Sequence, residues 1–114
     1  MRDPRERLRH ILEAIDRIER YAVRGEDAFR SDELVQTWMV HQMQIIGEAA
    51  RALSPDFREQ HSNVPWGAIV GMRHVIVHQY FGIDLDIVWR VVVDDLPVLK
   101  RAIDALWKEL GYGK

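Results

Sequence analysis

The stretch PWGAIVGMRHVIVHQY, residues 65–80, decides the fold because it predicts a helix with few polar positions. At about 100° per residue, its apolar side chains cover most of the circumference, which is typical of a helix buried on more than one side. In a chain of 114 residues, we expect another subunit to cover the second side. The stretch also carries Arg73, His74, His78 and Tyr80, and charged or titratable groups in apolar surroundings are costly unless they are paired or used.

The spacing of these polar residues limits which of them can meet. Arg73 and His78 are five residues apart, so an ideal helix separates them by about 140° around its axis. Arg73 and Tyr80 fall within about 20° of each other, and His74 and His78 share a face. Arg73 and His78 can therefore converge on a substrate only if the helix frays near His78, if Arg73 uses its length, or if a second subunit supplies the complement.

Outward from this stretch, the sequence predicts an all-α fold, an antiparallel bundle of four to five helices with short connections. Asp3-Pro4 is the start signal of a first helix that Gly25 ends. Ser31-Asp32 offers the cap of a second helix, which Ser54-Pro55 ends because the residue before proline avoids the helical region. The polar residues 56–63 are predicted to form a loop before the third helix.

The last helical stretch contains a proline. It runs from about Leu85, after a break at Gly82 and Asp84, to about Leu110, and Pro97 lies inside it. A proline within a helix removes one hydrogen bond and clashes with the preceding turn. We therefore expect a kink or two helices, the second capped by Asp94 or Asp95, and a tail over residues 111–114 that frays.

The composition bounds the class of protein. The chain has 47% hydrophobic residues, no Cys and a net charge of -2, which predicts one folded domain over residues 1–114 without disulfides or cysteine-ligated metal. The charge balance argues against stable DNA binding. The charged start of the chain and the absence of a long apolar run predict a cytoplasmic protein with no membrane segment.

The polar residues of the third helix carry a family resemblance. The pattern Arg73-x-x-x-x-His78-x-Tyr80, preceded by Pro65-Trp66 and Gly71-Met72, resembles the HepT branch of the HEPN superfamily. Further matches along nearly the whole chain are Ile46-Gly47-Glu48-Ala49, Asp84, Val88-Trp89 and Leu96-Pro97. The residue after the motif arginine is often Asn in the family and is His74 here.

The resemblance implies a HEPN-like homodimer that acts as a metal-independent ribonuclease toxin of a type VII-like toxin–antitoxin pair. It also implies a cognate partner, the minimal nucleotidyltransferase antitoxin (MntA). Family members are silenced when this partner transfers AMP to the motif tyrosine, which makes Tyr80 the predicted O-AMP-tyrosine. The resemblance implies no cofactor.

The chemistry of metal-free RNA cleavage fits these residues. Histidine titrates near neutral pH, so we assign His78 to general acid–base catalysis. Arginine presents a permanent forked cation, so we assign Arg73 to phosphate binding and transition-state stabilisation. His74 is expected to support the site. Glu48, on the second helix, either holds Arg73 or a histidine or forms a buried structural ion pair.

Each of these catalytic assignments has an alternative interpretation. His74 and His78 share a helical face that could bind zinc, although no Cys accompanies them. Trp38, Trp66 and Trp89 are expected in the core rather than as platforms for RNA bases. The alternative function is a non-catalytic HEPN module that binds a nucleotidyltransferase partner or a nucleotide, and a purely structural dimerisation bundle is a weaker third.

Overall fold

The structure is a computed structural model that describes residues 3–77 and 84–112, and for residues 73–77 the backbone alone. Every regular element in these ranges is helical, which confirms the predicted all-α fold. The helices are α1 Pro4–Ala22, α2 Glu26–Arg30, α3 Glu33–Ala52, α4 Pro55–Gln60, α5 Trp66–Val77, α6 Leu85–Arg90 and α7 Leu96–Glu109, and a π-helical turn, Val91–Asp95, joins α6 to α7.

The two longest helices begin where the sequence predicts. The Asp3 side chain accepts a hydrogen bond from the Arg5 backbone N–H at 2.9 Å, and the Asp32 side chain accepts from Leu34 and Val35 at the start of α3. Each cap satisfies amides that have no partner within the helix. Gly25 follows α1 with a φ of 95°, a backbone conformation that favours glycine.

The predicted loop over residues 56–63 is wrong in its first half, which forms α4. The Ser54 hydroxyl accepts a hydrogen bond from the Phe57 N–H at 3.1 Å, and Pro55 occupies the first helical position. Ser-Pro therefore ends one helix and begins the next, because the conformation that stops α3 is also that of an N-cap. The buried side chain of Phe57 fixes this short helix to the core.

The π-helical turn accommodates Pro97. Residues 85–109 form one uninterrupted helical stretch, in which the Leu96 N–H bonds to the Val91 carbonyl, five residues back. Widening the turn relieves the clash that proline makes with the preceding turn of an α-helix. The predicted carboxylate cap is wrong, since the Asp95 side chain makes no capping hydrogen bond at the start of α7.

The end of α7 is held rather than frayed up to Tyr112, contrary to the prediction. Gly111 has a φ of 77°, its N–H bonds to the Lys108 carbonyl, and the Tyr112 N–H bonds to the Trp107 carbonyl. This is the Schellman pattern of a helix C-terminus. The rings of Trp107 and Tyr112 meet edge to face at 5.3 Å, and the Arg5 guanidinium lies 4.7 Å from the Tyr112 ring centroid.

Helix α1 runs antiparallel to both of its long neighbours. Its start contacts the end of α7 through Arg5 and Tyr112, while Glu19 near its end binds Lys100 at 2.9 Å. Pro4 of α1 and Ala52 of α3 line one small cavity, so these helices are also opposed. Helix α3 packs against α1 and also against α5. The apolar residues that are completely buried here come from α1, α3 and α7: Leu8, Ile11, Ala14, Ile15, Ile18, Met39, Ile46, Ala50 and Ile103.

One polar side chain lies in this core. Gln42 of α3 is 1% exposed, and its Oε1 has no hydrogen-bond partner in the described part of the chain. A buried acceptor without a partner costs about 1–3 kcal/mol. Gln36, one and a half turns earlier on the same helix, differs because its Nε2 donates to the carbonyls of Phe29 and Arg30.

We expect Gln42→Met to raise the free energy of unfolding by about 1 kcal/mol, because it removes the unpaired acceptor at nearly constant volume. Gln36→Met should lower it by about 1 kcal/mol, since it breaks hydrogen bonds that tie α2 to α3. Urea unfolding followed by circular dichroism measures both. Destabilisation by Gln42→Met would contradict the assignment of an unsatisfied amide.

Candidate functional site

Helix α5 is fixed to the core by its first half. Trp66 is buried and its Nε1–H donates to the His61 carbonyl at 2.9 Å. Its ring lies 6.3 Å from that of Phe57, measured between centroids. Ile69 and Met72, one and two turns further on, are also buried. The helix that carries the predicted motif therefore begins from a rigid anchor against α3 and α4.

The structure describes the predicted site residues unequally. Arg73 and His74 lie on α5, where the backbone alone is described, and His78 and Tyr80 lie outside the described residues. Glu48 lies on α3, the helix against which α5 packs, and its side chain is exposed. The expectation of a buried carboxylate at Glu48 is therefore wrong. The pairing of these residues with one another stays a prediction.

The described part of α5 has one open side. Gly67 and Ala68 are exposed and Gly71 is half-buried. A Cβ built on either glycine would meet no described atom within 4 Å, apart from the neighbouring backbone of the helix. Glycine inside a helix costs about 1 kcal/mol relative to alanine. The chain therefore keeps two unfavourable residues on a face that nothing else in its described part covers.

A groove of about 520 Å³ separates this side of α5 from the last helical stretch. Ala68 and Gly71 line one wall, and Val91 and Val98 the other. Val98 is 50% exposed. Arg90 and Asp95 lie on the same wall and are exposed, so the groove is apolar with charges of both signs beside it.

A second and more polar groove runs between α1 and α3. It has a volume of about 610 Å³ and is lined by Arg7 and His10 of α1 and by His41, Gln44, Ile45, Glu48, Ala49 and Ala52 of α3. This groove was not predicted from the sequence. The signal was available, because His41, Gln44 and Glu48 recur at helical spacing on one side of α3.

Trp38 extends the same side of α3 beyond this groove. Its side chain is 39% exposed, so the expectation of a core residue is wrong. Its ring centroid lies 6.2 Å from that of His41. Trp66 is buried as predicted, and Trp89 is half-buried and stacks on Phe29 at 5.2 Å. Only the tryptophan on α3 presents a broad aromatic surface beside a polar groove.

A metal-binding cluster and a membrane-spanning helix are both absent from the ranges that the structure describes. Among those residues, no group of three His, Cys, Asp or Glu side chains is placed to hold a metal ion. None of the helices in the same ranges is long and apolar enough to cross a membrane.

An all-α bundle whose sequence carries the Arg73–His78 pattern, beginning on a helix packed against α3, has the features of a HEPN-type protein. The family model described as "Ribonuclease HepT-like" matches residues 11–106, and the chain belongs to this family. The match spans α3, α5 and the complete stretch from Arg73 to Tyr80.

Two relatives that align with nearly the whole chain are also named as ribonucleases. A "putative RNase" of Caldanaerobacter subterraneus subsp. tengcongensis is 38% identical over 111 residues, which cover 96% of this chain and 99% of the relative. A "probable ribonuclease HepT" of Thermococcus cleftensis is 35% identical over 109 residues, which cover 94% of this chain and 98% of the relative.

A longer relative carries a second named activity. The "gamma-glutamylcyclotransferase and putative RNase" of Methanocaldococcus jannaschii is 39% identical over 108 residues. The match covers 94% of this chain but 49% of that protein, so the chain spans about half the length of this relative. No solved structure matches the chain significantly.

Proposed function

We propose that the chain is a metal-independent endoribonuclease, the toxin of a HepT/MntA toxin–antitoxin pair. Its catalytic residues are Arg73 and His78, which act where two copies of the chain meet. The observation that carries this proposal is the family match over residues 11–106, which includes the whole Arg73-x-x-x-x-His78-x-Tyr80 pattern. The names of the full-length bacterial and archaeal relatives support the same activity.

Cleaving RNA without a metal requires two proton transfers and one stabilised charge. The 2′-hydroxyl loses a proton as its oxygen attacks phosphorus, and the leaving 5′-oxygen gains one as the P–O bond breaks. His78 is suited to these transfers because an imidazole titrates near neutral pH. The guanidinium of Arg73 stabilises the charge on the pentacoordinate phosphate with paired N–H donors.

A homodimer follows from the number and spacing of these groups. One copy supplies one motif histidine. Two proton transfers need a base and an acid, and two copies supply two histidines for these roles. Arg73 and His78 are also about 140° apart on an ideal helix, so complementary groups from two copies reach a phosphate more easily. The open side of α5, with Gly67, Ala68 and Gly71, offers a face on which a second copy can pack closely.

The charges beside the α5 groove suit a symmetric partner. A two-fold interface places the same patch on both copies, so each charge meets the surface of its own duplicate. Arg90 and Asp95 lie on the same wall, and a two-fold axis between them pairs the arginine of one copy with the aspartate of the other. In this arrangement the apolar groove is filled and both charges find partners.

Two further residues support the site in this proposal. Glu48 lies on the helix against which α5 packs, and in this proposal its carboxylate fixes the orientation of Arg73 or of a histidine. His74 supplies a second imidazole or a hydrogen bond close to the phosphate. Glu48 and His74 therefore orient other groups, and His78 transfers the protons.

The cognate nucleotidyltransferase silences the enzyme through Tyr80. The Tyr80 hydroxyl oxygen attacks the α-phosphate of ATP and loses its proton. The bond between the α- and β-phosphates breaks, pyrophosphate leaves, and a phosphodiester joins the tyrosine to adenosine. The added phosphate is anionic and lies seven residues from Arg73, so it competes with RNA for the same guanidinium. The adenosine also occupies volume that the substrate needs.

The first experiment measures RNA cleavage by the purified protein in excess EDTA. We expect the wild type to cut RNA, and His78→Ala to cut about 10²–10⁴-fold more slowly because it lacks the proton-transfer group. His61→Ala, a partly buried histidine beyond α4, is the matched control and should retain activity. Cleavage that requires added Mg²⁺ would contradict the mechanism, and a folded protein that cuts nothing would favour the non-catalytic module.

The dimer is tested by Ala68→Arg. The substitution places a long charged side chain on the exposed side of α5 without disturbing the core, so we expect light scattering to show a monomer and cleavage to fall at least tenfold. Val23→Arg is the control, because Val23 is 82% exposed just after α1 and does not line the α5 groove. An unchanged dimer mass in Ala68→Arg would place the interface elsewhere.

The silencing step is tested by incubating the protein with the nucleotidyltransferase and ATP. One AMP should appear by mass spectrometry on a peptide that contains Tyr80, and Tyr80→Phe should take up none. The chain has three tyrosines, so Tyr21→Phe and Tyr112→Phe serve as matched controls that should still be modified. Modification of either control tyrosine instead would refute the assignment.

A further inference from the structure

We propose that the groove between α1 and α3, together with the exposed ring of Trp38, holds the single-stranded RNA that flanks the cleaved bond. This deepens the proposed ribonuclease function and rests on it. The proposal names a substrate-binding surface apart from the Arg73–His78 motif, and it assigns roles to Arg7, His10 and His41 that the cleavage chemistry does not use.

The groove has the composition of a nucleotide-binding surface. Arg7 and His10 stand on the α1 side, and His41 and Gln44 on the α3 side, above an apolar floor that includes Ile45. Arginine and histidine bind phosphate oxygens, while an amide can hydrogen-bond the edge of a base. The volume of about 610 Å³ lies in the range of about 300–1,000 Å³ typical of sites for small organic groups.

Trp38 adds an aromatic platform at one end of this groove. Its ring is 39% exposed and lies 6.2 Å from the His41 ring. Unpaired bases stack on aromatic side chains while cations hold the backbone, and this combination is the usual way in which proteins bind single strands. An exposed tryptophan beside His41, with Arg7 and His10 further along the groove, provides both parts.

The length of α3 between Trp38 and Glu48 fits a short stretch of RNA. Trp38 and Glu48 are ten residues apart on α3, or about 15 Å along the helix. This length accommodates about four nucleotides at a stacked spacing of about 3.4 Å. Glu48 lines the groove and belongs to the helix on which α5 packs. A strand that leaves the groove at Glu48 therefore stays on the helix that also supports α5, and we expect it to continue to the motif.

The same side of α3 could instead contact another protein, since Leu34 is 82% exposed one turn before Trp38. The polar lining favours RNA, because the cores of protein interfaces are depleted of charged groups. In the groove, by contrast, the charged and titratable groups Arg7, His10, His41 and Glu48 make up half of the lining residues.

The test uses a probe that cannot be cleaved, a fluorescein-labelled 2′-O-methyl octauridylate, whose Kd is measured by anisotropy. We expect Arg7→Gln and Trp38→Ala each to raise Kd about tenfold, and Trp38→Phe to restore most of the affinity because it keeps an aromatic face. Arg7→Gln should also lower the dependence of log Kd on log salt by about 0.7, the contribution of one phosphate contact in a single strand. Arg101→Gln, an exposed arginine on α7, should change neither quantity.

Cleavage kinetics then separate binding from chemistry. For a twelve-nucleotide RNA, Arg7→Gln should raise KM about tenfold and leave kcat unchanged, because the arginine touches the flanking strand and not the reacting phosphate. A dinucleotide is too short to reach both places, so wild type and Arg7→Gln should cut it equally well. An equal loss on both substrates would overturn the proposal.

The remaining outcomes each decide one question. If the variants weaken probe binding while no RNA is ever cleaved, the groove is supported and the ribonuclease function fails. If RNA is cleaved but wild type and variants bind the probe alike, or none binds it, the groove proposal fails alone. If Leu34→Ala or Trp38→Ala changes the molecular mass in light scattering, this side of α3 is a subunit interface and the proposal is wrong.

Discussion

The packing of α5 against α3 is the contact on which the rest of the structure depends. Trp66, Ile69 and Met72 bury themselves in the first half of α5, and the hydrogen bond from the Trp66 indole to the His61 carbonyl fixes where that helix begins. Because an α-helix has a fixed rise and twist, this anchor also sets where the backbone of Arg73 lies along α5. Burial of apolar side chains thus positions the residue at which the motif begins.

Opposite the anchor, the small side chains of α5 have a cost that only a close neighbour explains. Gly67 and Gly71 each destabilise a helix by about 1 kcal/mol relative to alanine, and no described atom outside the neighbouring helix backbone approaches within 4 Å of a Cβ placed there. A chain folding alone would gain stability from alanine at both positions. The proposal that a second copy covers this side therefore has an energetic argument as well as a geometric one.

The sequence predicts the fold well where local rules act alone. Asp3 and Asp32 cap helices as expected, because the orphan amides of a first turn need an acceptor wherever the helix lies. It fails where two rules compete. At Ser54-Pro55 the stop signal hid a start signal. At Pro97 the expected kink or pair of helices takes the form of a π-helical turn between α6 and α7, which keeps Leu96 and Leu99 buried.

The candidate site is predicted less evenly, for a related reason. The motif on α5 is contiguous in sequence and therefore visible in it, whereas the groove combines α1 with α3 and depends on how these helices meet. Periodicity identifies an exposed and a buried side of α3, but Trp38 fits either one by composition. Packing alone decides that its ring remains exposed beside His41.

The α1 wall of the groove lies apart from the motif in the sequence. The family model begins at residue 11, so Arg7 and His10 precede the matched stretch, while the motif and the α3 wall of the groove lie inside it. Substitutions in the α1 wall can therefore change how the strand is bound without disturbing the reacting groups. One helix, α3, serves both needs: it supports the motif helix on one side and forms the wall of the groove on another.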